Sequence, residues 1–191
     1  MDEPGRCWWG AEAAGDRRMQ VYHDEEWGVP VTEDRELFER LILEGFQAGL
    51  SWRTILHKRD AFRAAFGGFE PAVVAAFDDA DRARLMDDAG IVRNRAKIEA
   101  SIGNAAAFLA VAGAFGAFDA YLGAFVPRPA ARRGPTATMA DIPSTTPVSD
   151  ALSRDLRARG FRFVGSTIVY AFMQSVGLVD DHLPGCFRYR G

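Results

Sequence analysis

The chain has 191 residues and a mass of 20.9 kDa, the size of one domain or of one domain with a small lobe. Apolar residues make up 48% and charged residues 26%, which excludes wholesale disorder and collagen-like repeats. The net charge of -3 argues against a general nucleic-acid coat, yet residues 1–50 hold 12 acids and 5 bases while residues 51–191 hold 14 acids and 18 bases, so a basic face survives in the later part.

Helical periodicity dominates the chain and no convincing pair of alternating strands appears, so the expected fold class is all-α with several helices of roughly 8–16 residues. Thr32 or Asp34 can cap a helix whose apolar stripe is Leu37, Phe38, Leu41 and Ile42. Ser51 can cap a second, carrying Trp52, Ile55 and Leu56, and Pro71 suits the first turn of a third, with Val73, Val74 and Phe77. Asp81 to Asp88 reads as a short helix through Leu85, and Asn94 caps a longer one through Ile98, Ile102, Ala105, Phe108 and Leu109. The Ala/Gly/Phe-rich stretch from Ala105 to Phe125 still reads as helix. Residues 126–147 hold five of the nine prolines, with Arg128, Arg132 and Arg133, and read as a surface loop. Ser149 starts a helix with Leu152 and Leu156, stopped by Gly160, and Ser166 to Ser175 is a buried helix ending at Gly177.

No run approaches the ~18–20 apolar residues that span a bilayer, and the first residues lack a basic-then-apolar signal region. The expected location is cytoplasmic. Two cysteines cannot build a disulfide framework. Only Lys58 and Lys97 among the 23 bases are lysines; the many arginines suit bidentate phosphate contacts, but base composition of the coding sequence, to which the many alanines also point, is the favoured cause.

Four constellations can carry chemistry. Glu44 shares a helix face with Leu37 and Leu41, where a carboxylate is costly unless hydrogen-bonded or given a task. Gly45, Gly49 and Trp52 follow it, offering close approach and a stacking surface; the plain alternative is a Glu at a helix end that turns to solvent or caps the next helix. Cys7, His23, His182 and Cys186 offer two thiolates and two imidazoles, a set that would close a tetrahedral zinc shell; free buried cysteines or a Cys7–Cys186 disulfide are the alternatives. His57, in a run of charged residues, reads as surface.

The third is a hairpin around Gly90, where a helix starting near Asn94 presents free N–H groups beside Arg93, Arg95 and Lys97. It has the outline of a DNA-backbone reader, or of an ordinary αα-hairpin with a solvated basic rim. The fourth is the group of Trp8, Trp9, Tyr22 and Trp27, which could sandwich a flipped-out base or simply fill a core.

Taken in order, several stretches resemble the constitutive 3-methyladenine DNA glycosylase I (Tag) family. They are Arg6-Cys7 with Trp9, Tyr22-His23-Asp24 through Pro30, Leu43 to Trp52, Ala89 to Arg95 with Lys97-Ile98, Gly160 to Gly165, Tyr170 to Gln174, Gly177-Leu178-Val179 and Asp181-His182. The resemblance implies a helix-hairpin-helix glycosylase fold with a structural zinc snap of Cys7, His23, His182 and Cys186 joining the two termini. It implies hydrolysis of the N-glycosidic bond of N3-methyladenine in double-stranded DNA, without strand cutting, and release of free 3-methyladenine. By the family pattern Glu44 hydrogen-bonds the extruded base, Tyr22 and Trp52 stack on it, Trp9 lines the pocket, and the hairpin (Gly90, Arg93, Asn94, Arg95, Lys97) grips the backbone.

The expected organisation is one glycosylase unit, 1–191, acting as a monomer with no membrane partner. A helical part, 33–125, contains the hairpin at about 81–109; residues 1–32 and 148–191 form the zinc-bearing lobe, and 126–147 the loop. The catalytic Asp that many relatives in the wider superfamily carry after the hairpin is missing here, since no Asp lies between Asp88 and Asp119. Met19, Gly123 and Asp180 depart from the family pattern, and Met19 and Gly123 could loosen the pocket enough to admit bulkier N3-adducts. Two other classes remain open: a noncatalytic damage-binding module, and a zinc hydrolase, which would need an open metal position.

Overall fold

The computed structural model describes residues 5–11, 15–126 and 130–191, so Arg128 of the expected loop lies outside the described residues. Two short helices, α1 (Trp8–Ala11) and α2 (Arg17–Val21), open the fold. Asp16 caps α2 by accepting from the Met19 N–H, and α2 runs into a π-helical turn, Tyr22–Glu26. Six further helices follow: α3 (Asp34–Gln47), α4 (Trp52–Ala65), α5 (Pro71–Ala75), α6 (Asp79–Asp87), α7 (Arg95–Phe115) and α8 (Phe118–Gly123). After the proline-rich segment come α9 (Pro147–Ala158) and α10 (Ser166–Ser175). The architecture is all-α, as the periodicity implied. Among the described residues the one extended element is a two-residue parallel bridge, β1 (Ala131–Arg132) on β2 (Val179–Asp180).

Local chemistry explains the boundaries. Ser51 accepts from the Thr54 N–H, Pro71 sits in the first turn of α5, and Asn94 accepts from the Lys97 N–H, all as the sequence indicated. The cap of α3 is Glu33, not Thr32 or Asp34: its carboxylate accepts from Arg35 and Glu36, while Asp34 accepts from the Phe118 N–H at the start of α8. The cap of α9 is Thr146, in a capping box with Ser149. The Ala/Gly/Phe-rich stretch is two helices, because Gly116 takes φ +88 between α7 and α8.

A single large core lies between α3, α4, α5, α7, α8, α9 and α10. Leu37 through Phe46 are buried without a break, so α3 is enclosed on all faces rather than along one stripe. Of its buried charges, Arg40 bonds Glu26 and Glu36 while Glu39 pairs with Arg63. The 21-residue α7 is long and apolar enough to cross a membrane by length and composition, contrary to the expectation from the sequence. Here its buried residues pack as the core helix, Ile98, Ile102, Ala105, Phe108 and Val111 among them. A second, smaller cluster joins Cys7, Met19, Tyr22, Trp27, Leu56 and Cys186, and so brings the two ends of the chain together.

Candidate active site

Where the two clusters meet, a cavity of about 500 Å³ opens beside Glu44. Its aromatic lining comes from Trp8, Trp9, Tyr22, Trp27 and Trp52. These five residues include all four tryptophans of the chain. Trp9 and Tyr22 lie 6.1 Å apart between ring centroids, and Tyr22 and Trp52 5.0 Å. The Arg40 guanidinium stands 5.6 Å from the Tyr22 ring centroid. Arg40 is held by Glu26, whose carboxylate also takes a bidentate pair from Arg59 at 2.5 and 2.8 Å. The tyrosine therefore rests on a buried charged network and turns toward the cavity.

Glu44 is 4% exposed. Among the described residues no protein group donates a hydrogen bond to it, and burial pushes its carboxyl up to about 8, with Arg40 opposing that rise. An empty cavity at neutral pH thus holds Glu44 mostly protonated. A cationic or amino-bearing guest would favour the carboxylate. The same burial, with the Glu44 charge adding to it, keeps the Tyr22 hydroxyl protonated. The sequence-predicted Glu44, Tyr22, Trp52 and Trp9 all line this one cavity.

Met139, Ile142, Gln174 and Asp181 are among the further lining residues and were not anticipated. Of the positions that depart from the family pattern, Met19 lines the cavity, whereas Gly123 is exposed at the end of α8 with open space around it, which corrects the idea that Gly123 loosens the pocket. Asp180 accepts from His182 Nδ1 at 2.8 Å.

Next to the cavity, ligand atoms of Cys7, His23 and Cys186 lie within 4.8 Å of one another, a buried cluster that could hold a metal ion. His23 Nδ1 lies 2.8 Å from Asp24 Oδ1, and Asp24 in turn pairs with Arg6. This leaves His23 Nε2 facing the thiols, 3.5 Å from Cys186 Sγ. His182 falls outside that tight trio. Its ring is 5.4 Å from the His23 ring, and its Nε2 is buried with no hydrogen-bond partner among the described residues. An orphaned buried imidazole nitrogen on the ring that packs edge-on against His23 fits a further metal ligand. Burial lowers the His23 pKa and pushes the Cys7 thiol up to about 12, so thiolate at Cys7 calls for a cation. Glycine is needed next to both rings: a Cβ on Gly10 would sit 2.9 Å from His23, and one on Gly28 (φ +76) 2.8 Å from His182.

None of the hairpin residues Gly90, Arg93, Asn94, Arg95 and Lys97 lines the cavity. Arg93, Asn94 and Arg95 are exposed, and Gly90 is packed against Asp88 and Ala61, where an added Cβ would meet atoms at 2.9 and 3.0 Å. Lys97 is different and corrects the sequence reading. It is 7% exposed, and its ammonium donates to the carbonyls of Phe46 and Ala48 at 2.8 and 2.6 Å. It ties α7 to the C-terminal end of the helix that carries Glu44 and is turned away from the hairpin rim. Lys58 donates to the carbonyls of Ala89 and Gly90. His57 is half-exposed and pairs with Asp16.

Residues 9–189 match the family model described as methyladenine glycosylase. The chain is 48% identical over 186 residues to DNA-3-methyladenine glycosylase 1 of Escherichia coli (strain K12), covering 97% of each chain. It superposes on a crystal structure of 3-methyladenine DNA glycosylase I with a TM-score of 0.91 at 46% identity, over 97% of this chain and 100% of the other. A variant of a 3-methyladenine DNA glycosylase I in complex with 3-methyladenine superposes with a TM-score of 0.86 at 34% identity, over 95% of this chain and 99% of the other.

Proposed function

The chain belongs to the methyladenine glycosylase family, and on that premise we propose that it excises 3-methyladenine from alkylated DNA as a monofunctional, monomeric DNA glycosylase. The observation that carries this reading is a carboxylate without a protein hydrogen-bond donor, Glu44, facing a cavity walled by tryptophan and tyrosine.

N3 alkylation makes the purine a cation while it is still bonded to deoxyribose. Breaking the C1′–N9 bond returns the bonding electrons to the base, neutralises it and moves positive charge to the sugar, where water adds and loses a proton. The leaving group needs no strong acid from the protein. The protein extrudes the base, stacks on it and reads its edge. Glu44 accepts from the exocyclic amino group and offsets the purine charge, which favours the lesion over neutral adenine. Tyr22, Trp52 and Trp9 supply π faces, worth roughly 0.5–2 kcal/mol each toward a cation. The exposed Arg93 and Arg95 and the free N–H groups at the start of α7 bind phosphate of the duplex.

Zinc is the proposed ion, held by Cys7, His23, Cys186 and His182 as the fourth ligand; with its shell closed by protein it supplies structure, not a reactive position. The donor set of two thiols and two carboxylate-oriented imidazoles supports this. The cluster ties residues 5–11 to 182–186, and Cys7 and Leu183 belong to the cavity wall, so the metal fixes part of that wall.

Chromatography of the base fraction released from methylated duplex DNA tests the function. Free 3-methyladenine with an intact strand is the expected result; binding without release would leave a damage-binding module. Metal analysis of the purified chain and of His182→Ala tests the ligand set.

A further inference from the structure

We propose that Arg133 is a positioning residue that holds the turn carrying Met139 and Ile142 as the outer wall of the base cavity. Asp181 is 2% exposed and forms part of that cavity's lining. A carboxylate this deep must be compensated. It accepts from Arg133 Nε at 2.7 Å, from the Tyr170 hydroxyl at 2.6 Å and from Gln174 Nε2 at 2.8 Å. Arg133 Nη2 donates to the Tyr170 oxygen at 2.7 Å, so the guanidinium fork holds both members of the pair. The Arg133 carbonyl accepts from the Tyr189 hydroxyl, and β1, immediately before it, is bonded to β2. Arg133 thus sits where the proline-rich segment is fastened to the body.

Beyond this point the fastening stops. Among the described residues, every hydrogen bond of residues 134–145 is local: Ala137 to Gly134, Ile142 to Met139, and the Thr138–Asp141 box that shapes the Met139–Asp141 turn. Yet Met139 and Ile142 reach the cavity, and Met139 remains 53% exposed at its mouth. The turn is therefore located by its two ends, Arg133 on one side and the Thr146 cap of α9 on the other. Releasing Arg133 frees the wall and leaves the Asp181 carboxylate facing the cavity with only the neutral donors Tyr170 and Gln174. This inference rests on the proposed base cavity, but its first test does not need the base.

All four tryptophans line the cavity, so tryptophan fluorescence reports on it, with the 45% exposed Trp8 giving a quenchable background common to all the proteins compared. Acrylamide quenching of the ligand-free, metal-loaded protein is measured for the wild type, Arg133→Met and Arg133→Lys. Arg133→Met is expected to be quenched more strongly, with Arg133→Lys between the two. Titration with free 3-methyladenine follows, with Met139→Ala added: loss of an apolar wall contact and of the charge pairing raises Kd about tenfold in Arg133→Met and about threefold in Met139→Ala. Affinity for a duplex holding an abasic-site analogue, which leaves the cavity empty, stays unchanged.

Wild-type quenching in folded Arg133→Met would overturn the proposal. So would an equal loss of base and abasic-duplex affinity, or a loss of bound metal that accounts for the weaker base binding. A wild type that binds no 3-methyladenine would instead strike the proposed function, and the quenching comparison would still decide the wall.

Discussion

Glu44→Gln should make the protein more stable while disabling it, and the gain should grow with pH. The Glu44 carboxyl is pushed from its ordinary 4.5 up to about 8 by burial. Between those values the unfolded chain has lost the proton and the folded chain keeps it, so stability falls as pH rises. That stability is fully present below 4.5 and lost by the time pH passes 8. Each tenfold difference in proton affinity is worth about 1.4 kcal/mol. The penalty relative to a neutral amide is thus roughly 3 kcal/mol at pH 7 and levels off at roughly 5 kcal/mol above pH 8. For a chain of this length, about 3 kcal/mol corresponds to a rise in Tm of roughly 6–12 °C. The assay is urea unfolding of wild type and Glu44→Gln at pH 5, 6, 7 and 8, alongside 3-methyladenine release at pH 7. A gain that is equal at every pH, or a loss of stability, would refute the argument that an unpartnered buried carboxyl pays for recognition.

The same protonation sets the rate: if the carboxylate is the competent form, kcat/KM for methylated DNA rises between pH 6 and pH 8 with an apparent pKa of about 8, and a flat profile would place the essential proton elsewhere. Arg93→Ala and Arg95→Ala should each lower the salt slope of duplex binding by about 0.9, whereas Lys97→Met should leave the slope alone and cost about 3 kcal/mol, because two helix-end carbonyls lose their donor; salt titrations and urea melts separate the two. Gly28→Ala forces a Cβ to within 2.8 Å of His182 at φ +76, so metal content and Tm fall together, as metal analysis and thermal melts would record. Chelation should lower Tm, with turnover lost only as the fold loosens and restored by added zinc; loss of turnover at unchanged Tm would argue for a catalytic metal.

The long elements were legible because their signals are local. Ser51, Pro71 and Asn94 mark helix starts by side-chain chemistry that acts within three residues, and Ser166–Ser175 is bounded by glycines on both sides. Helices of four and five residues cannot display a 3.6-residue repeat, and α1, α2 and the π turn, which lack the proline that marks the equally short α5, left no trace. That turn sets Tyr22 toward the cavity and His23 toward the thiols, and such turns gather at functional sites.

Long-range pairing was the other blind spot. Lys97 looks like a rim cation until carbonyls about fifty residues away are brought beneath it. Arg133 looks like loop charge until Asp181, 48 residues on, is buried beside it. Glu44 could be singled out because a carboxylate on an apolar helical face is costly by sequence position alone.

The most direct test is base release from DNA treated with a methylating agent, comparing wild type with folded, metal-loaded Glu44→Gln. The wild type should liberate free 3-methyladenine and leave an uncut strand with abasic sites, and the variant should release it far more slowly. Equal release by both proteins, or none by the wild type, would contradict the account.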